Sequence, residues 1–134
     1  MPTSEVIYEK DLRTKATHLQ SGVSIITDAP VDNHGKGEAF SPTDLLATSL
    51  ASCMLTIMGI ACEEHKFSIN GTKAVVTKIM GTEPRRVTEV KIELFFPPNN
   101  YTEKQKQIIK YISENCPVAK SLHPDLKQNI TINF

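Results

Sequence analysis

The sequence has no tryptophan, and phenylalanine and tyrosine together supply only 6% of it, so aromatic platforms for stacking bases are not expected. It lacks a charge of one sign as well. Fifteen Lys and Arg residues balance fifteen Asp and Glu, leaving no field that would favour nucleic acid or an anionic membrane surface. Cysteine is scarce and odd in number, three in 134 residues, which argues against a secreted disulfide scaffold. The opening stretch, MPTSEVIYEKDLRTK, has no basic segment followed by an apolar one, so export is not expected and the Asn-x-Thr triplets at Asn70, Asn100 and Asn129 read as chance. A reducing cytoplasm with free thiols is the expected setting.

What is present suits one α+β domain over residues 1–134. VIYEK, KATHLQ and GVSIITD are each of strand length, with Ser21-Gly22 placed as a two-residue hairpin turn between the last two. A Gly- and Asn-containing loop then meets a helix start. Ser41 is the N-cap, Pro42 the first helical residue and Asp44 the acidic member of a capping box, in a helix running to about His65. Two long strands are expected at 71–80 and 87–96, the second with Val90, Ile92, Leu94 and Phe96 on one face. Thr102 and Gln105 form a second capping box, opening a helix with Ile108, Ile112 and Cys116 on one stripe. Cys116-Pro117 breaks that helix and starts a short third one, and QNITINF alternates as a final strand. An antiparallel sheet packed on a long central helix is the architecture these elements suggest.

The long helix contains an 18-residue stretch without a formal charge, Leu45 to Cys62. Its length just reaches that of a spanning segment. Yet Thr48, Ser49, Ser52 and Thr56 interrupt it, no basic cluster orients it, and the flanking strands need a partner to bury against. Burial in a soluble fold explains it better than lipid. One sheet covers only one side of a helix, so a second copy of the chain is expected to cover the other, and a homodimer follows.

Two cysteines invite chemistry. Cys53 lies mid-helix, where a free thiol often packs as a small hydrophobe. Cys116 precedes Pro117 as the N-cap of the next helix, a position that favours a thiolate. Cys62 and His65 share an i, i+3 spacing that could clamp a metal, but four ligands are needed for structural zinc and His18, His34 and His123 lack the spacing. No metal or cofactor is expected.

GKGEAFSPTDLLATSLASC followed by SENCPVAKSL resembles the OsmC-like superfamily, which includes the organic hydroperoxide resistance proteins. The resemblance covers most of the chain. It implies an intertwined α+β homodimer with the long helices central and two sites at the subunit interface. It also implies that Cys53 attacks the peroxide, that Cys116 resolves the product, and that an external dithiol recycles the pair. One position departs from the pattern. The peroxidases hold the thiolate with an arginine pinned by a glutamate ten residues before the first cysteine, where this chain has Thr43, with Asp44 beside it. Arg13 is the expected activating cation, with Arg85 and Arg86 in a turn as the other arginines. Two functions are therefore carried forward: a thiol peroxidase for organic hydroperoxides, and a non-catalytic protein binding a small apolar molecule at the dimer interface.

Overall fold

A computed structural model describes residues 1–134, which fold as two compact units, Met1–Leu46 and Ala47–Phe134. In the first unit, β1 (Ser4–Lys10), β2 (Arg13–His18) and β3 (Ser24–Asp28) form an antiparallel sheet in that order. Lys10 pairs with Arg13, so Asp11 and Leu12 alone make the β1–β2 turn. Both have positive φ, 53° and 64°, as a type I′ hairpin turn requires. The β2–β3 connection is wider than the two-residue turn expected at Ser21-Gly22. Its strands end at His18 and resume at Ser24, and the Ser21 hydroxyl bonds both His18 Nδ1 at 2.6 Å and the Val23 amide at 3.2 Å. Those two bonds satisfy the polar groups of a loop that a tight turn would have omitted.

The long helix α1 (Pro42–His65) begins where the sequence places it. The Asp44 amide donates to Ser41 Oγ at 3.1 Å and the Ser41 amide to the Asp44 carboxylate at 3.0 Å, a reciprocal capping box. At the other end Lys66 turns left-handed (φ 57°) and the Phe67 amide reaches back to the Cys62 carbonyl at 3.1 Å, closing the helix with a Schellman-type bond.

In the second unit, β4 (Lys73–Gly81), β5 (Arg86–Phe95) and β6 (Lys127–Asn133) make a sheet in that order, with α2 (Glu103–Asn115) and α3 (Pro117–Ser121) between β5 and β6. The antiparallel expectation holds for β4 and β5 but not for β6, which runs parallel to β5 with Ile92 opposite Ile130. The helices are the reason. A parallel neighbour needs a crossover of a dozen or more residues, and α2 with α3 carries the chain back to the same end of the sheet. The Thr102–Gln105 capping box forms as expected, at 3.2 and 3.0 Å.

The core of this unit is built largely from three elements, and Ala119 brings α3 into it. From α1 come Ala47, Leu50, Ala51, Met54 and Met58, from β5 come Val87, Val90, Ile92 and Leu94, and from α2 come Ile109 and Ile112. The α2 stripe is therefore centred one residue from the expected one: Ile109 is fully buried and Ile108 only partly. Burying an aliphatic side chain of this size contributes about 1.5–3 kcal/mol, and five of these are wholly inaccessible to solvent. This core holds α1 against α3, which positions the site.

Candidate active site

Cys53 sits at the edge of the buried stripe of α1, between core residues Leu50 and Met54, and is half-buried. Cys116 is 1% exposed, ending α2 and capping α3. The fold brings these two expected site residues together. Both are free thiols, and Cys53 acts on Cys116 through side-chain hydrogen bonding and charge. Burial pushes the Cys116 thiol up, contact with Cys53 pushes it further, and the backbone amides of Ala119 and Val118 pull against both. The pair is asymmetric: one sulfur deep and held neutral, the other nearer solvent. The Val118 amide also donates to Cys53 Sγ at 3.5 Å, a contact with no signature in the sequence because it belongs to the backbone.

Arg13, the third expected site residue, lies on β2 in the first unit. Its guanidinium grips Asp28 with two bonds, Nε to Oδ1 at 2.7 Å and an Nη to Oδ2 at 2.9 Å. Asp28 is buried, and the Arg13 hydrogen bonds hold its carboxyl below the usual range, against the effect of burial. An acidic residue does pin this arginine, but it comes from β3 rather than from the start of α1. The signal was in the register: Arg13 and Asp28 are directly opposite across β2 and β3. Asp44 is engaged at its own cap, and Thr43 Oγ1 lies 3.2 Å from the Ser41 hydroxyl. Arg85 and Arg86 are exposed at the end of the β4–β5 hairpin.

Cys62 and His65 are not brought together. Cys62 is buried, its thiol pushed up by burial with the Ile69 amide opposing, whereas His65 is exposed. Nine residues separate Cys62 from Cys53, which turns it to the opposite side of the helix (about 100° per residue).

Residues 35–131 match the family model of the OsmC-like protein family. The chain belongs to the OsmC-like family. The OsmC-like fold extends over almost the whole chain. A crystal structure of a candidate osmotic stress induced and detoxification response protein from Psychrobacter arcticus is 58% identical, with a TM-score of 0.95, covering 99% of this chain and 96% of its own. The OsmC-like protein of Mycoplasma pneumoniae is 23% identical, with a TM-score of 0.78, covering 97% of this chain and 94% of its own. The organic hydroperoxide resistance protein OsmC of Legionella pneumophila is similar in fold at 13% identity, with a TM-score of 0.74, covering 100% and 98%. No curated protein matches the chain.

Proposed function

We propose that this OsmC-like protein is a thiol-dependent peroxidase that reduces organic hydroperoxides. The observation that carries the reading is the contact between Cys53 and Cys116, two thiols far apart in sequence and set side by side in an apolar surrounding. The Cys53 thiolate attacks the terminal oxygen of the hydroperoxide, the O–O bond breaks, and an alkoxide leaves to be protonated as the alcohol. Cys53 is then a sulfenic acid. The Cys116 sulfur attacks it, water leaves, and a Cys53–Cys116 disulfide forms. An external dithiol reduces that disulfide by exchange and is itself oxidised. Each cycle consumes one hydroperoxide and one dithiol and yields an alcohol, water and an oxidised dithiol, with no resident metal or cofactor. Apolar neighbours favour an alkyl hydroperoxide over hydrogen peroxide, and a reducing cytoplasm is where such a dithiol would be supplied.

The working form in this reading is a homodimer. α1 is long and apolar enough to cross a membrane, with a mean hydropathy of 1.9, yet the chain alone buries only 33% of that stretch. Leu46 and Ile60 remain exposed on it, as do Val6, Ile7, Tyr8, Ile25 and Ile26 on the sheet of the first unit. A second copy would cover these apolar side chains with apolar surface of its own, as a strongly charged partner would not.

The rival reading, a non-catalytic protein holding a small apolar molecule at the dimer interface, draws on Arg13, whose Nε and one terminal nitrogen are engaged by Asp28. Turnover separates the two. With cumene hydroperoxide and a dithiol, the unaltered chain is expected to consume peroxide and Cys53→Ser to be inactive. With the dithiol left out, Cys116→Ser is expected to stop after one turnover with a dimedone-reactive Cys53. Undiminished turnover in Cys53→Ser, with no Cys53–Cys116 disulfide on peptide mapping, overturns the peroxidase reading. Ligand-dependent thermal stabilisation that survives Cys53→Ala would then speak for the rival.

A further inference from the structure

The two sulfurs of the pair differ in how they can be approached. Cys116 is 1% exposed and belongs to the core cluster, with buried Ile112 one turn before it on α2 and buried Ala119 after it on α3. Cys53 is half-buried, and Leu46 and Ile60 lie seven residues before and after it on α1. Seven residues make close to two full turns, so the three share one face of the helix. Leu46 and Ile60 are 38% and 54% exposed there. The open side of the pair is therefore the Cys53 side. A second copy laid over this face would narrow that route and open none to Cys116, which its own chain already encloses.

Thiol–disulfide exchange adds a demand on direction. The attacking sulfur, the sulfur attacked and the sulfur that leaves lie in one line, so access decides which sulfur is attacked. Attack on Cys116 Sγ would have to come from the side away from Cys53, through the core that surrounds it.

We propose that the external dithiol recycles the protein by attacking Cys53 Sγ, so that Cys53 carries the mixed disulfide and Cys116 is the leaving group. This deepens the peroxidase reading and rests on it for the disulfide and the reductant. One thiolate of the dithiol bonds to Cys53 Sγ and the Cys53–Cys116 bond breaks. The electron pair stays on Cys116 Sγ, which takes up a proton. The second thiol of the reductant then attacks the reductant's own bound sulfur. A cyclic disulfide departs, Cys53 keeps the electron pair, and two electrons have passed from the dithiol to the protein. Burial makes Cys116 a reluctant leaving group, which slows this step. It does not redirect it, because attack on the enclosed sulfur first requires the surrounding core to open. Cys53 is then the sulfur that meets both peroxide and reductant, and Cys116 bonds only to Cys53.

The disulfide can be formed with diamide, without peroxide, and exposed briefly to mercaptoethanol, a monothiol that stops at the mixed disulfide. Quenching with N-ethylmaleimide labels the thiol set free, and peptide mapping locates both groups. Mercaptoethanol is expected on Cys53 and maleimide on Cys116. Mercaptoethanol on Cys116, or divided equally, overturns the proposal, as does a pair that diamide fails to join. A second measurement needs no disulfide within the chain. The Cys53 thiol of Cys116→Ser is expected to exchange with dipyridyl disulfide at least about tenfold faster than the Cys116 thiol of Cys53→Ser. That advantage is expected to vanish in urea, where both are open. Equal rates in the folded variants overturn the proposal. Neither measurement uses a peroxide. Mercaptoethanol on Cys116 in a chain that still reduces hydroperoxides would sink this assignment alone. Mercaptoethanol on Cys53 in a chain that reduces none would sink the proposed function alone.

Discussion

Asp28 and Arg13 show how one pair of residues sets a pH dependence. Arg13 lowers the carboxyl of Asp28 in the folded chain by hydrogen bonding and by charge. The unfolded chain then binds more protons than the folded one at acid pH, so stability falls as pH falls. The contribution of the pair is complete above the ordinary carboxylate range (about 4) and is lost as pH drops through the depressed value. Urea midpoints measured from pH 7 down to pH 3 are expected to decline in the unaltered chain. In Asp28→Asn they should be lower at pH 7 and flatter toward acid. An equally steep acid limb in the variant would place the effect on other carboxylates. The thiols obey the same physics with opposite sign: burial disfavours their charged forms, which is why Cys116 and Cys62 stay protonated beyond the usual range.

At the scale of elements, caps and faces were legible and turns were less so. The Ser41–Asp44 and Thr102–Gln105 boxes could be read because capping is local chemistry between residues three apart. The alternating face of β5 was equally plain. The Asp11-Leu12 turn was not, because leucine rarely takes a positive φ and signals no turn. Leu12 adopts φ 64° because the paired strands on either side demand it. Glycine should suit that position better. Leu12→Gly is expected to raise stability by about 0.5–1 kcal/mol, read as a higher urea midpoint: the left-handed conformation costs a β-carbon about 1–2 kcal/mol, and the extra freedom of unfolded glycine takes back about 0.5–1 kcal/mol. The hydrogen bond from the Ala29 amide to the Leu12 carbonyl uses backbone alone and survives the change. The parallel setting of β6 was also hidden, because strand alternation is identical in parallel and antiparallel ladders.

For the molecule as a whole, the unsatisfied quantity is apolar surface. Ile60 is 54% exposed on α1, and Val6 and Ile25 are 63% and 48% exposed on β1 and β3. Sedimentation of the unaltered chain is expected to give twice 14.9 kDa. Ile60→Glu is expected to dissociate the proposed dimer by setting a charge in an apolar contact, and added salt to do little, as a hydrophobic rather than ionic attraction requires. A monomer in the unaltered protein would leave those side chains without a cover and overturn the dimer.

The sequence by itself determined the periodicities and the local chemistry: α1 with its caps, the buried face of β5, the Cys116-Pro117 break and the family to which these belong. It did so because helix caps, alternation and proline act over a few residues. Only the tertiary structure decided which groups meet. It set Cys53 beside Cys116, gave the Val118 amide to the Cys53 sulfur and gave Arg13 to Asp28. Those pairings depend on sheet register and on how α1 packs with α3 through a shared core, and neither quantity is written in any short stretch of the chain.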